Sequence, residues 1–453
     1  MNSRTNLLKG NILKALVTMS IPIMATSFLQ MAYNMTDMIW IGRVGSNSVA
    51  AVGAAGMFVN LANGICNFLR LGSQVKVAHA YGAGKKDQAA CYARNALQMG
   101  VILSVIYGFT ICIFRKPFIG FFGFTNQQVI KDAELYLFVM GLFIVFNFVN
   151  PIFTASITAT GNSKTPFKIN TVGLVINLIL DPVLIFGAGP FPKMGVFGAA
   201  VATVFAQFIV LLLYLHYTKH DEQVFSRMEF RKPLEKKIIR SIAKIGMPST
   251  IQGVMFTGIS MSIGRIIAGW GETAIAVQKV GIQVEAISYM SADGFASATS
   301  SFMAQNYGAD QFERSKEGFK TSLKVIVAWG LFTTAILVFL PEPIFRIFIT
   351  EKEVIPLGAD YLRILGYSQL FMCLEIITTG AFSAYGNTLP PSIVSIIFTV
   401  LRVPMAILLG KTTLGLNGVW TSISLSSVFK GGLLLVWYIF FMRKFNKKVR
   451  HLK

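Results

Sequence analysis

Long apolar runs are the feature of this sequence that most restricts its fold. The chain has 453 residues, 54% of them hydrophobic and 13% charged, with a mean hydropathy of +0.60. An apolar run of about 18 residues or more can cross a hydrocarbon core as a helix, where lipid offers no partner to an unpaired backbone group. We predict an all-α integral membrane protein with twelve transmembrane helices, at 15–41, 48–71, 91–114, 134–159, 167–187, 195–217, 241–269, 274–301, 320–340, 357–384, 392–411 and 416–442.

Positive charge is concentrated in alternate connections between these runs. The net charge is +21, and Lys and Arg cluster before the first span, after the second, sixth and eighth spans, and in the tail. This alternation follows the positive-inside rule and predicts a multi-pass protein of the cell membrane with both termini cytoplasmic. Because membrane topology accounts for the basicity, we expect membrane lipid as a partner and not nucleic acid.

The four cysteines do not form a recognisable metal or redox motif. Cys66, Cys91, Cys112 and Cys373 show no C-x-x-C spacing and fall in or beside apolar runs. Packing thiols are therefore expected rather than zinc ligands or disulfides.

A long-period repeat divides the chain into two halves. Three pairs of residues recur at the same separation (248 − 22 = 226): Pro22 with Pro248, Gly45 with Gly271 and Tyr81 with Tyr307. We predict an N-terminal six-helix bundle at 1–218, a cytoplasmic linker at 219–240 and a C-terminal six-helix bundle at 241–453. Since each half has an even number of crossings, a pseudo-two-fold axis along the membrane normal should relate the bundles, as in transporters that work by alternating access.

A polar stripe runs along the first predicted span. Gln30, Tyr33, Asn34 and Asp37 have the i, i+3, i+4, i+7 spacing that places side chains on one face of a helix. An ionised carboxylate costs at least about 2.5 kcal/mol at the middle of a bilayer, so it normally faces the protein interior. Asp37 is therefore a candidate functional residue.

The fifth predicted span carries a second acidic stripe. Asn170, Asn177 and Asp181 share a face, and Pro182 removes a backbone donor beside the acid. Two carboxylates held close together in a low dielectric do not both stay ionised cheaply, so the pair of Asp37 and Asp181 would suit proton exchange. The alternative is that the two acids only lock helices together through hydrogen bonds.

The second half has a less regular set of polar residues. Gln278, Glu285, Tyr289 and Asp293 share a face of the eighth predicted span. Glu375 interrupts the tenth span and Arg402 the eleventh, while Arg265, Lys279 and Lys430 also fall within or near spans. We expect some of these charges to pair inside the protein, for example Glu375 or Glu285 with Arg402, as a structural clamp, a gate or a substrate contact.

In these motifs the chain resembles the MATE (multidrug and toxic compound extrusion) family along essentially its whole length. The resemblance is carried by two six-helix halves and by motifs in a fixed order: "SIPIM" from Ser20, "DMIWIGRVG" from Asp37, "ILDPVLIFG" from Ile179, and the turns that begin "GN" at Gly161 and Gly386. The resemblance implies a V-shaped pair of bundles that exports organic cations and other amphipathic compounds in exchange for protons or sodium.

The resemblance also implies a cation site. Family members use aspartates of the first and fifth helices, and the matching positions are Asp37 and Asp181, each with an asparagine one turn earlier, Asn34 and Asn177. Glu375 matches an acid that some members use in the tenth helix. The seventh predicted span has no acidic residue, unlike members that use one there. That departure favours protons as the coupling ion, with Na⁺ at Asp37 and Asp181 as the alternative.

We therefore expect a secondary active antiporter that exports small amphipathic, preferentially cationic, organic compounds by alternating access. It should act as a monomer, without a cofactor or a resident metal. The alternative is a flippase for lipid-linked oligosaccharide or another lipid-like substrate, which interior bases such as Arg402 would suit. A receptor or channel is disfavoured by the duplicated halves. An enzyme is not expected, because the sequence shows no His, Cys or Ser constellation at one depth.

Overall fold

Helices make up nearly all of the chain that the structure describes, which comprises residues 4–187, 191–349 and 351–450 of a computed structural model. A short 3-10 turn, Phe225–Arg227, lies between α7 and α8. The helices are α1 Ile12–Val44, α2 Ser46–Gly82, α3 Lys86–Gly120, α4 Gln127–Leu142, α5 Val145–Ala159, α6 Lys164–Phe186, α7 Gly195–His220, α8 Lys236–Ala268, α9 Glu272–Gly308, α10 Phe312–Phe339, α11 Pro341–Arg346, α12 Ile355–Gly366, α13 Gln369–Ala384, α14 Leu389–Val400, α15 Arg402–Gly410 and α16 Leu416–Arg450.

Most of the predicted spans are confirmed as long apolar helices. Within the described residues, nine helical stretches are long and apolar enough to cross a membrane, and eleven are if two bent pairs count as one span each. The remaining predicted span, 274–301, lies inside α9. That helix has 37 residues, which is about 55 Å of helix, but its polar residues keep it outside the apolar set.

Two spans predicted as single helices are bent. The segment predicted at 134–159 is α4 and α5 meeting at 49°, and the one predicted at 357–384 is α12 and α13 meeting at 45°. A glycine precedes each bend and packs closely on an earlier helix, α3 for Gly141 and α10 for Gly366. A Cβ on Gly141 would lie 2.7 Å from Ile111, and one on Gly366 would lie 3.0 Å from Leu337. Glycine permits this close approach and also weakens a helix, so the bends fall where the packing requires them.

The repeat is visible in the backbone as well as in the sequence. Pro22 and Pro248 both lie inside long helices, α1 and α8. Residues with positive φ recur at matching turns of the two halves. The φ angles are 146° at Gly45 and 100° at Gly271, 73° at Gly84 and 57° at Asp310, 86° at Gly161 and 71° at Gly386, and 55° at Gly195 and 51° at Gly415. Glycine and aspartate adopt this conformation more readily than most residues. The two halves therefore share the same turn geometry.

Packing divides the described chain into two compact units. The first unit contains residues 4–6, 25–247 and 308–310. The second unit contains residues 7–24, 248–307 and 311–450. The bundle boundaries predicted from the sequence stay a prediction.

The segment predicted as a linker is held inside the first unit. Arg94 of α3 forms a 2.6 Å ion pair with Glu235, and Gln98 donates to the carbonyl oxygens of Phe230 and Lys232. At the end of α7, Asp221 pairs with Arg4 at 2.8 Å, and both side chains are buried. These contacts fold the segment onto the helix ends of its own unit.

Helix α2 crosses α8 at two glycines. A Cβ on Gly72 would overlap the carbonyl oxygen of Ile242, and a Cβ on Gly246 would overlap that of Phe68. We expect Gly72→Ala to destabilise the protein by about 1–3 kcal/mol through overpacking. The measurement is the thermal unfolding midpoint of the purified protein in detergent.

The matched control lies on the same helix. A Cβ on Gly64 would have nothing within 4 Å, so Gly64→Ala should leave the midpoint unchanged or raise it slightly. Equal midpoints for the two variants would show that α2 and α8 do not cross this closely.

Candidate functional site

Two acidic side chains meet in the interior of the first unit. Asp37 projects from α1 and Asp181 from α6, and their carboxyl groups lie within hydrogen-bonding reach of each other. The Asp181 side chain is buried, with 1% of its surface exposed, while Asp37 is partly buried. A hydrogen bond between two carboxyl groups requires a proton on one of them. This geometry therefore suits a site that holds one proton.

Asn177 supports the pair from within α6. Its Nδ2 donates to Asp181 Oδ1 at 3.0 Å, as expected for residues four apart on one helical face. Pro182 lies inside α6 and cannot donate to the carbonyl of Leu178, which leaves a further acceptor one turn before the proline. Two other oxygens, Asp37 Oδ1 and Asn177 Oδ1, are buried without a hydrogen-bond partner. The site therefore has acceptor capacity to spare, which suits a proton donor or a cation.

Tyr136 joins the predicted Tyr33 beside the two acids. The Tyr33 hydroxyl lies 3.4 Å from Thr203 Oγ1 of α7, and both Tyr33 and Tyr136 of α4 interact electrostatically with Asp37 and Asp181. The sequence does not single out Tyr136 or Thr203, because both are uncharged and helical periodicity alone does not show which neighbouring helix a hydroxyl group faces. We name Tyr33, Asp37, Tyr136, Asn177 and Asp181 the acidic cluster.

The other two residues of the predicted α1 stripe lie in a different environment. Gln30 Nε2 donates to Asn34 Oδ1 at 3.3 Å, and both residues are exposed on the described chain. Of the four residues in the stripe, only Tyr33 and Asp37 therefore enter the buried cluster.

The second unit contains its own interior charges. Lys430 Nζ lies 3.0 Å from Glu375 Oε2, and these side chains are 5% and 13% exposed. Glu285 Oε1 accepts a 2.7 Å hydrogen bond from the hydroxyl of Tyr361. Gln278 lies on α9, two turns before Glu285, and its Oε1 is buried without a hydrogen-bond partner. These groups come from α9, α12, α13 and α16.

The pairing expected for Arg402 is wrong. Arg402 donates from Nε to Ser426 at 2.5 Å and from Nη2 to Ser427 at 3.2 Å, so its direct partners are neutral hydroxyl groups. Glu375 and Glu285 act on Arg402 only electrostatically. Lys430 of α16 lies against Glu375 instead of Arg402. The sequence could not predict this partner, because it does not show which base on another helix faces Glu375.

The helices and their interior charges define a class of protein. Apolar spans arranged in two matching halves, each with ionisable groups inside, are the features of a multi-pass membrane transporter. The chain belongs to the MatE family, whose family model matches residues 22–183 and 248–408. The two matched ranges begin at Pro22 and Pro248, so each covers one copy of the repeat.

Individual relatives match the chain over nearly all of its length. The probable multidrug resistance protein NorM of Thermotoga maritima is 28% identical over 447 residues, covering 94% of this chain and 92% of that protein. A Shewanella oneidensis protein named as an FAD transporter is 26% identical, covering 95% of each chain. The crystal structure of a MATE protein in complex with MaD5 shares the fold, with a TM-score of 0.88 over 98% of each chain at 22% identity. The family consists of transporters and not of enzymes.

The buried pair of Lys430 and Glu375 allows a stability test. Lys430→Met alone should destabilise the protein by about 3–5 kcal/mol, because it leaves the Glu375 carboxylate buried and unpaired. The double variant Lys430→Met with Glu375→Leu should recover most of that loss. The thermal unfolding midpoint in detergent measures both effects.

The control is a surface pair in the same unit. Lys316 and Glu313 lie 3.4 Å apart, and Glu313 is 80% exposed, so Lys316→Met should change stability little. If Lys430→Met behaved like Lys316→Met, the Glu375 pair would contribute nothing to stability.

Proposed function

We propose that the protein is a secondary active antiporter that exports small amphipathic organic compounds by alternating access, with the acidic cluster as its coupling site. The supporting observation is that the Asp37 and Asp181 carboxyl groups meet in the interior of one unit. We expect both termini to face the cytoplasm and the protein to work as a monomer in the cell membrane. The substrates expected from the sequence are cations, and some relatives are named for multidrug resistance.

The pair couples through a change in its charge. With one proton, the two carboxyl groups form a hydrogen-bonded pair with a single negative charge. Without it, two negative charges face each other in a medium of low dielectric, where repulsion is strong. The deprotonated pair can be relieved by separating the two helices or by taking up a cation. Proton binding and helix position are therefore linked, which is what coupled transport requires.

The cluster has features that suit either coupling ion. The hydrogen bond between two carboxyl groups favours a proton, and we propose the proton as the coupling ion. The unpartnered oxygens of Asp37 and Asn177 are also the kind of hard ligand that a sodium ion accepts. Within the described residues, no three or more His, Cys, Asp or Glu side chains are grouped closely enough to bind a metal ion. Sodium is therefore the alternative coupling ion, and the gradient experiment below tests both ions.

A flippase for a lipid-linked substrate is the second candidate function. The observation that favours it is the pair of interior bases in the second unit, Arg402 and Lys430, whose residues are 7% and 4% exposed. Such bases would suit the phosphate groups of a lipid-linked sugar. Export of the small soluble cation ethidium separates the candidates, because a flippase would not carry it.

Removing the charge of Asp37 tests the coupling proposal. Asp37→Asn keeps the shape of the side chain but cannot exchange a proton, so coupled export should be abolished while the protein stays folded. The measurement is ethidium-dependent proton movement in inverted membrane vesicles. Asp181→Asn should have the same effect, because the two acids act as one site.

The matched control is an exposed aspartate of the same unit. Asp87 lies in the first turn of α3, where its side chain is 85% exposed and pairs with Arg227. Asp87→Asn should leave coupled export unchanged, since surface ion pairs contribute little. Full coupled export by Asp37→Asn would remove the acidic cluster from the mechanism.

The choice of ion is tested by imposing one gradient at a time. In proteoliposomes, a proton gradient without sodium should drive ethidium transport, and a sodium gradient at equal pH on both sides should not. The physical reason is that a carboxyl pair sharing one hydrogen bond takes up a proton without further ligands. Transport driven by sodium alone would reverse this assignment and leave the site itself in place.

A further inference from the structure

The guanidinium of Arg402 is buried in the second unit without a directly bonded acid. The residue is 7% exposed, and its two hydrogen bonds go to the hydroxyl groups of Ser426 and Ser427. Among the described residues, no carboxylate oxygen lies within 4.0 Å of this guanidinium. Arginine has five N–H donors in a planar fork, so two neutral acceptors use only part of its capacity.

The neighbouring acids are engaged elsewhere. Glu375 lies 3.0 Å from Lys430. Glu285 accepts a hydrogen bond from the hydroxyl of Tyr361 and lies near the side chain of Gln369. Both acids attract Arg402 electrostatically. Neither supplies the two parallel hydrogen bonds that a guanidinium forms with an oxyanion.

An aromatic side chain lies beside the same guanidinium. Arg402 Cζ lies 5.7 Å from the centroid of the Phe256 ring, within the range of a cation–π contact. Phe256 is 47% exposed, so about half of its surface is not covered by other residues of the chain. An apolar surface next to a cation with unused donors matches a compound that has an aromatic body and an anionic group.

We propose a binding site for an aromatic substrate that carries an anionic group, either a carboxylate or a phosphate. The site consists of Arg402, Ser426, Ser427 and Phe256. The guanidinium would hold the oxyanion with two parallel hydrogen bonds, the serine hydroxyls would fix the orientation of the fork, and Phe256 would contact the attached ring. The class includes anions and zwitterions. The inference rests on the proposed export function and adds this class to the cations expected from the sequence.

The test compares two ligands that differ by one phosphate. Flavin mononucleotide and riboflavin share an aromatic ring system, and only the first carries an oxyanion. Their affinities for the purified full-length protein in detergent can be measured by quenching of flavin fluorescence. We expect the wild-type protein to bind flavin mononucleotide about tenfold or more tightly than riboflavin, as for other hydrogen bonds between charged groups.

Variants of Arg402 should change this preference in a graded way. Arg402→Gln should bring the two affinities together while leaving riboflavin binding in place, and Arg402→Lys should retain only part of the preference, because lysine keeps the charge but not the fork. The control is Arg346→Gln, which removes one positive charge from an arginine side chain of the same unit that is 63% exposed. This control should keep the full preference.

The outcomes separate the site from the coupling mechanism, because binding is measured without an ion gradient. Asp37→Asn should abolish coupled export and still prefer flavin mononucleotide. If the wild-type protein shows no preference, or binds neither flavin, the proposal is wrong. It is equally wrong if Arg402→Lys and Arg402→Gln both keep the full preference. Should Arg402→Gln fail to fold, the ratio measured on Arg402→Lys decides.

Discussion

The cost of placing an ionised group away from water is the constraint on which this structure depends. Each unit meets that cost differently. In the first unit, two acids lie within hydrogen-bonding reach of each other, and Asn177 donates to one of them. In the second unit, Lys430 neutralises Glu375 directly and hydroxyl groups solvate Arg402. A carboxyl pair changes its net charge when it gains or loses one proton, whereas a buried ion pair keeps both of its charges. The first unit is therefore better suited to coupling.

The repeat conserves backbone geometry and not chemistry. Each half has left-handed residues at matching turns, a proline inside its first long helix and one bent span. The interior polar residues do not recur, since Ile263 is buried in α8 at the position that corresponds to Asp37 in α1. A common frame of apolar helices therefore carries an acidic cluster in one copy and a mixed set of charges in the other. The two copies therefore differ in their interior charges although their backbones match.

Much of the fold could be predicted from the sequence because lipid permits few alternatives. Apolar runs had to be helices, and the repeated Pro22 and Pro248 indicated two similar halves. The bends before α5 and α13 could not be predicted, because they depend on how closely Gly141 and Gly366 approach neighbouring helices. The span predicted at 274–301 lies inside the longer helix α9, whose polar residues keep it outside the apolar set.

The sequence by itself determined which residues were unusual. Asp37, Asp181, Glu375 and Arg402 are conspicuous in apolar runs because a charge is costly there, whatever the arrangement of the helices. Only the tertiary structure decided which of these groups meet. It placed Asp37 against Asp181, added Tyr136, assigned Lys430 to Glu375 and left Arg402 with two serines. Helical periodicity specifies the face of one helix, whereas partners depend on how different helices pack, which no local pattern encodes.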